Sequence, residues 1–313
     1  MELGYFLSSE EHGPRELIAF AQAVERSGLN SVLISDHFHP WLDEQGQSPF
    51  VWSVIGGIAA TTELRITTGV TCPTVRIHPA VVAQAAATSA LLAPGRFRLG
   101  VGSGENLNEH ILGGVWPPVA ERLQMLEEAI EVMRKLWTGR TVTHRGAHYT
   151  VASAHVYSVP NTPPPVLVSA FGPKATSLAA RVGEGLVNVR PDADLVRQYR
   201  DEGGGGPVVG AMKVCWAATA EEGVRTAHRL WRTEALPGQL AQELPMPRHF
   251  SQATELVTEQ MIADAIPCGP DPEPHIAAIE RYRDAGFDEL YVNQIGKDQE
   301  GFLRFFNAEV LSH

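Results

Sequence analysis

The sequence predicts a closed (β/α)8 barrel with insertions, and three observations point to it. Eight short runs rich in β-branched residues alternate with longer stretches of helical periodicity. Alternation of this kind makes a parallel sheet, and a count of eight favours closure over an open doubly wound sheet. Polar clusters follow these runs at their carboxyl ends, the rim on which such a barrel carries function.

Taken in order, residues 3–7 form the first strand and residues 15–27 a helix with apolar positions near helical spacing. Gly28 ends that helix in a left-handed cap, where the missing side chain matters. Residues 31–34 are strand and 49–61 helix; residues 65–70 are strand and 79–92 helix, with Pro79 suited to a first-turn position. Residues 96–101 are strand, and 120–137 a strong amphipathic helix whose Leu123, Met125, Ile130 and Met133 belong to the core. An irregular piece, 139–164, precedes strands at 165–170, 185–189 and 208–217 and helices at 174–182, 194–199 and 220–232. A proline-rich excursion with a helical tail spans 237–267. Helix 274–285, strand 289–293 and helix 298–311 close a single domain over 1–313, with 139–164 and 237–267 as its insertions.

Composition narrows the function. A net charge of −11 without clustered basic residues argues against nucleic acid or an anionic membrane as partner. No stretch approaches the roughly 18 apolar residues of a membrane span, and the first residues carry no basic leader. Three cysteines, Cys72, Cys215 and Cys268, lack metal-type spacing and suit a reduced, cytoplasmic protein.

The glycine-rich stretch Leu99-Gly-Val-Gly-Ser-Gly-Glu-Asn-Leu-Asn108 ends the fourth strand and lets backbone approach a ligand closely. Glu105 and Asn108 follow on the ligand side, or simply cap the next helix. Asp36, His37 and Trp41 end the second strand; Ser8, Ser9, Glu10 and Glu11 end the first. Ser169-Ala-Phe-Gly-Pro-Lys174 ends the fifth, and Asn293 and Gln294 the last. His37 and His39 also make a His-x-His pair, but no further ligands stand at other strand ends, so no metal is expected. Cys72 lines the pocket rather than reacting, because nothing near it in sequence would stabilise a thiolate.

Asp36-His-Phe-His-Pro-Trp41, Thr68-Gly-Val-Thr-Cys-Pro73, Gly100-Val-Gly-Ser-Gly-Glu-Asn-Leu-Asn-Glu109 and Arg122-Leu-Gln-Met-Leu-Glu-Glu128 resemble the luciferase-like flavin and deazaflavin oxidoreductases. Within them the chain is most similar to the branch holding the F420-dependent glucose-6-phosphate dehydrogenases. The resemblance implies coenzyme F420 as cofactor, with FMN as the alternative, a small-molecule substrate, and a homodimer. It implies that His37 takes the hydroxyl proton of an alcohol, that Glu105 protonates the deazaflavin, that Trp41 stacks near the reacting carbon, and that Glu10 supplies an acidic group. Cofactor contacts carried over in the same way fall on Asp36, Gly69, Val70, Cys72, Gly102, Ser103, Gly104, Asn108, Ser169, Ala170, Phe171, Gly172, Pro173 and Lys174. A non-proline cis peptide is implied between Gly69 and Val70, and a site for the cofactor's phosphodiester at Gly172-Pro173-Lys174.

Physical chemistry supports these roles. Imidazole titrates in the range needed for a hydroxyl proton, and burial of Glu105 against glycine backbone raises its pKa. The resemblance weakens late in the barrel. Asn188-Val-Arg-Pro-Asp-Ala193 and Met261-Ile-Ala-Asp-Ala-Ile266 stand where sugar-phosphate dehydrogenases place basic residues, leaving Arg190 alone. Asp192 and Asp264 would repel a phosphodianion. The expected substrate is therefore a less charged alcohol, carbonyl compound or activated alkene, not glucose 6-phosphate.

Overall fold

All eight predicted strands form, and they close on themselves in the computed structural model, which describes residues 1–311. The domain drawn to residue 313 thus ends two residues beyond the described chain. In chain order the elements begin with β1 (Glu2–Leu7), α1 (Pro14–Arg26), β2 (Ser31–Ile34), α2 (Val51–Thr61), β3 (Arg65–Thr68) and α3 (Pro79–Leu92). Next come β4 (Phe97–Val101), a one-turn α4 (Asn106–Glu109), α5 (Val119–Leu136), and the pair β5 (Val142–Arg145) and β6 (Thr150–Ala154). Then follow β7 (Val166–Ser169), α6 (Pro173–Val182), β8 (Gly185–Asn188), α7 (Ala193–Asp201), β9 (Val208–Val214) and α8 (Ala220–Trp231). Short helices α9 (Leu240–Glu243), α10 (Pro247–Ala253) and α11 (Glu259–Ala265) lead to α12 (Pro272–Asp284), β10 (Glu289–Gln294) and α13 (Gln299–Phe305).

The barrel order is β1-β2-β3-β4-β7-β8-β9-β10, parallel throughout, and Tyr5 of β1 registers with both Val32 and Val292 to close it. β2, β4 and β8 are buried at every position, as expected of strands covered by helices on one side and barrel interior on the other. Leu33, Leu167, Val187, Val209, Ala211 and Tyr291 fill that interior. At the amino-terminal end, Arg98 grips Glu289 through two bonds of 2.8 and 2.7 Å and Arg65 adds a third at 3.2 Å. This buried ionic floor seals the end opposite the functional rim.

Local chemistry sets the helix ends. Gly28 adopts φ +92° just past α1, as its cap requires. Pro79 opens α3 while the His78 ring accepts from Ala80 N–H. Asp192, Thr219 and Asp271 cap α7, α8 and α12 with their side chains.

Two expectations change. The third strand ends at Thr68 rather than at residue 70: the Gly69–Val70 peptide is cis, and Thr71 resumes with an isolated bridge to Val101. The irregular piece 139–164 contains an antiparallel hairpin, β5 on β6, with a bulge between Val142 and His144. The excursion 237–267 carries α9, α10 and α11, whose Leu236, Leu244 and Phe250 pack on Leu42, Leu107 and Trp41. It therefore lies against the rim formed by the second and fourth strands. No described helix is long and apolar enough to cross a membrane.

Candidate active site

The carboxyl ends of β1, β2 and β4 bring His37 between two carboxylates. Its Nδ1 stands 3.4 Å from Glu10 Oε1 and its Nε2 3.6 Å from Glu105 Oε2. Glu10 is buried, its side chain 3% exposed, and Oε2 accepts from the Ser8 and Ser35 hydroxyls at 2.8 Å each. The Trp41 ring meets His37 edge-on at 5.2 Å and meets Phe250 of α10 in the same way at 5.2 Å. Four residues named from sequence as catalytic thus share one end of the barrel.

Glu105 occupies the position before α4 but makes no side-chain cap bond, so capping does not account for it. Its side chain, 29% exposed, is instead turned to His37 and to Asn108 Nδ2, which donates to Oε2 at 3.1 Å. Burial raises the Glu105 pKa, against the opposing pull of His37 and of the Asn108 bond. Asn108 Oδ1 accepts from Phe38 N–H at 2.8 Å and His39 N–H at 3.1 Å. These two backbone donors fix which way the amide faces, so Asn108 ties the β2 loop to Glu105.

Asp36 is committed within the protein: Oδ2 accepts from Thr71 Oγ1 at 2.7 Å and Oδ1 from Arg76 Nη2 at 2.9 Å. Glu109, one residue past Asn108, accepts from the Val75 and Arg76 backbone N–H groups. Burial pushes its pKa up to about 7 against those bonds. Thr71 belongs to a motif noted from the sequence, but Arg76 and Phe250 were not singled out there, since each acts through a partner distant along the chain. Burial also lifts the Cys72 thiol well above its ordinary value, in line with a lining role.

The predicted cofactor residues line the adjoining ends of β3, β4 and β7. A Cβ on Gly102 would stand 2.8 Å from Val70, 3.7 Å from Ser169 and 3.8 Å from Cys72. Val70, Ser169 and Cys72 thus pack around Gly102, which no side chain could occupy without displacing Val70. Gly104 has φ +92°, a conformation that favours glycine, and a Cβ there would crowd Glu109 and Trp116. Ser103, Gly102 and Gly104 lie on the turn that carries Glu105. Ala170 is buried and Phe171 half-exposed beyond Ser169. Gly172 precedes α6 with open space around it, and Thr176 is the first helical residue whose N–H finds a backbone acceptor. Among the described residues, the N–H groups of Lys174 and Ala175 have no acceptor, and Pro173 has no N–H, so this helix start is a ready anion site. Val70, Gly102 and the free N–H groups before α6 are the residues that would hold a flat ring and a phosphodiester tail.

Two carboxylates expected to line the substrate side do not do so as free charges. Asp192 caps α7, accepting from Asp194 and Leu195 N–H, and Asp264 accepts from Gln260 on exposed α11. His39 spends Nδ1 on Leu107 O at 2.9 Å and stacks on His110. Among the described residues no cluster of three His, Cys, Asp or Glu side chains could hold a metal.

The family model for luciferase-like monooxygenases matches residues 1–289. The chain is 35% identical over 328 residues to an F420-dependent glucose-6-phosphate dehydrogenase of Microbacterium testaceum (strain StLB037), covering 99% of this chain and 96% of the relative. It is 36% identical over 326 residues to the enzyme of that name from Nakamurella multipartita, at 99% and 96% coverage. The solved structure of an F420-dependent secondary alcohol dehydrogenase in complex with an F420-acetone adduct superposes with TM-score 0.90 at 29% identity, covering 99% of this chain and 98% of that one. An F420-dependent tetrahydromethanopterin reductase from Methanopyrus kandleri shares the fold, with TM-score 0.78 at 18% identity and coverage of 100% and 99%. The chain belongs to the luciferase-like monooxygenase family.

Proposed function

We propose that this protein is a coenzyme F420-dependent oxidoreductase that exchanges a hydride between the deazaflavin and a small alcohol or its carbonyl partner. The observation that carries this reading is His37 held between Glu10 and Glu105 beside Trp41, next to a cradle closed by Val70, Gly102 and Ser169. When bound, F420 supplies a ring carbon that accepts or gives the hydride.

The chain's own groups divide the remaining work. Glu10, fixed by Ser8 and Ser35, faces Nδ1 and favours the proton there, which leaves Nε2 as the basic nitrogen for a substrate hydroxyl. Glu105, raised in pKa by burial and oriented by Asn108, holds a proton on the other flank. Trp41, braced by Phe250, walls the site and limits water. An activated alkene would need no base on a hydroxyl, so the imidazole supports the alcohol–carbonyl pair.

The names of the relatives at 35% and 36% identity favour glucose 6-phosphate as a second reading of the substrate. F420 reduction with propan-2-ol and with glucose 6-phosphate separates the two. In either case His37→Ala is expected to lower kcat/KM by about 10²–10⁴-fold while F420 still binds; an unchanged rate would remove the imidazole from the chemistry. A reducing, cytoplasmic setting is supported by three unpaired thiols. We place a homodimer face on α3, which carries no charged residue and exposes Val81, Leu91 and Leu92.

A further inference from the structure

Glu11 follows the acid that faces His37, and the chemistry above leaves its carboxylate without a task. Its Oε1 accepts from Trp231 Nε1 at 2.6 Å and its Oε2 from Gly296 N–H at 2.8 Å. Trp231 ends α8 and Gly296 lies on the turn after β10, so this side chain joins the β1 loop to both. Gly296 is itself fixed: its carbonyl accepts from Gln299 Nε2 at 2.7 Å, and the Tyr5 hydroxyl of β1 donates to Gln299 Oε1. Lys213 Nζ lies 4.3 Å from the centre of the Trp231 ring and holds it in turn.

These anchors bear on the site around His37. In the barrel β1 stands between β2 and β10. On the β2 side Ser9 N–H donates to Ser35 Oγ at 2.9 Å, and the Ser9 hydroxyl donates to Ser35 O at 2.7 Å. The Glu10 carbonyl accepts from Gln47 N–H at 3.0 Å. Glu11 ties the same loop on the opposite side, to α8 and the β10 turn. Glu10 stands between the two sets of ties and places Oε1 3.4 Å from His37 Nδ1. Trp231 also packs in one apolar cluster with Ile262, Ile266 and Ile295, against which Trp41 rests. Glu11 thus couples the loop that carries Glu10 to the support of the Trp41 wall.

Both partners of Glu11 are donors. A carboxylate meets them with one oxygen each through charge-assisted bonds, whereas an amide would turn its NH2 toward one of them. Burial raises the Glu11 pKa to about 7 against those two bonds; Glu10 on the same loop adds to the rise and Lys213 of β9 opposes it.

We propose that Glu11 is a positioning residue for the hydride transfer: by bridging Trp231 and Gly296 it holds the β1 loop so that Glu10 faces His37 Nδ1. The inference rests on the reading of His37 as the base and adds the residue that keeps its acid partner in place. Glu10 in that position favours the proton on Nδ1, so a released loop lets the proton occupy either ring nitrogen.

Nitrogen NMR of the full chain with 15N-labelled histidine reads this tautomer without any turnover. Spectra taken at pH 8.5, where Glu11 is the carboxylate, are assigned with His37→Gln. The wild type should show Nδ1 protonated and Nε2 bare. Glu11→Gln and Glu11→Asp should both give mixed tautomers, since Gln brings a donor and Asp is one methylene too short to reach both anchors. Trp231→Phe removes one bond only and should give the same change in smaller measure. With propan-2-ol as substrate, kcat of Glu11→Gln should fall about tenfold or more while KM changes less than about twofold. A lowered urea midpoint with an unchanged tautomer would make Glu11 merely structural and overturn the proposal. A tautomer kept in Glu11→Asp but lost in Glu11→Gln would also overturn it, in favour of a bare charge effect. Glu10→Gln is the control for the parent reading. If it leaves the tautomer unchanged, or if the wild type carries its proton on Nε2, the pairing of Glu10 with Nδ1 fails and both readings fall. A change in Glu10→Gln without one in the Glu11 variants strikes the role of Glu11 alone.

Discussion

At His37 two acids compete for one imidazole, and their surroundings differ. Glu10 is locked by two serine hydroxyls and faces Nδ1, whereas Glu105 is half-buried and held by a single amide donor. The division of labour proposed above rests on this difference: one acid would orient the base, and the other, raised in pKa by burial, would supply the proton. Burial raises the Glu105 pKa, so its neutral form persists to a higher pH than that of an ordinary carboxyl and is lost as pH rises through the raised value. The alkaline limb of kcat should therefore reflect Glu105, and Glu105→Gln should abolish that limb while lowering kcat. A profile unchanged by the substitution would assign the limb elsewhere. Residue identities were legible in the sequence; their couplings were not. Glu10's partners Ser35 and His37 come from another strand end, and the two backbone N–H groups that donate to Asn108 lie about 70 positions back along the chain.

Single elements show where the sequence signal holds and where it stops. Runs such as residues 31–34 and 97–101 are buried on both faces, so apolar pattern alone finds them. The hairpin of β5 and β6 escapes because its Val142-Thr-His-Arg145 and Thr150-Val-Ala-Ser-Ala154 strands are mostly exposed and have no apolar face to advertise. The end of β3 at Thr68 depends on the peptide geometry of Gly69–Val70, which residue types do not encode. On β4, Gly102 keeps the cradle open. In Gly102→Ala the new methyl would meet Val70 at 2.8 Å, so F420 affinity should fall about tenfold or more, with the circular dichroism spectrum retained. An unchanged Kd would mean that the cofactor does not lie there.

The β4 turn also stores a pH dependence. Glu109 titrates near 7, above the ordinary 4.5, because burial outweighs its bonds to Val75 and Arg76. Its folded pKa is raised, so the native state holds a proton that the unfolded chain has released. That contribution is complete below about 4.5 and is lost as pH rises through about 7. Glu109→Gln, neutral throughout, should therefore lose less stability than the wild type between pH 5 and pH 8 in urea titrations. A parallel pair of stability curves would refute the assignment.

Across the whole molecule, a buried ionic floor of Arg98, Arg65 and Glu289 closes one end of the barrel, and chemistry collects at the other. The insertion 237–267 folds back on that open end, placing Phe250 behind Trp41 and Leu244 in the same apolar cluster as Leu42 and Leu107. The sequence located the insertion without showing what it covers, because its apolar residues are scattered among prolines. The strand count and rim clusters, by contrast, carried fold and site together. The late-barrel carboxylates sit on helices rather than in a pocket lining: Asp192 caps α7 and Asp264 accepts from Gln260 on exposed α11.

Everything proposed for the mouth requires a flat deazaflavin resting against Val70 and Gly102 with its tail at α6. Titration of purified apoprotein with F420 and, separately, with FMN, followed by absorbance and fluorescence, puts this to the test. Saturable binding of F420 in preference to FMN is expected; tighter binding of FMN, or binding of neither, would contradict it.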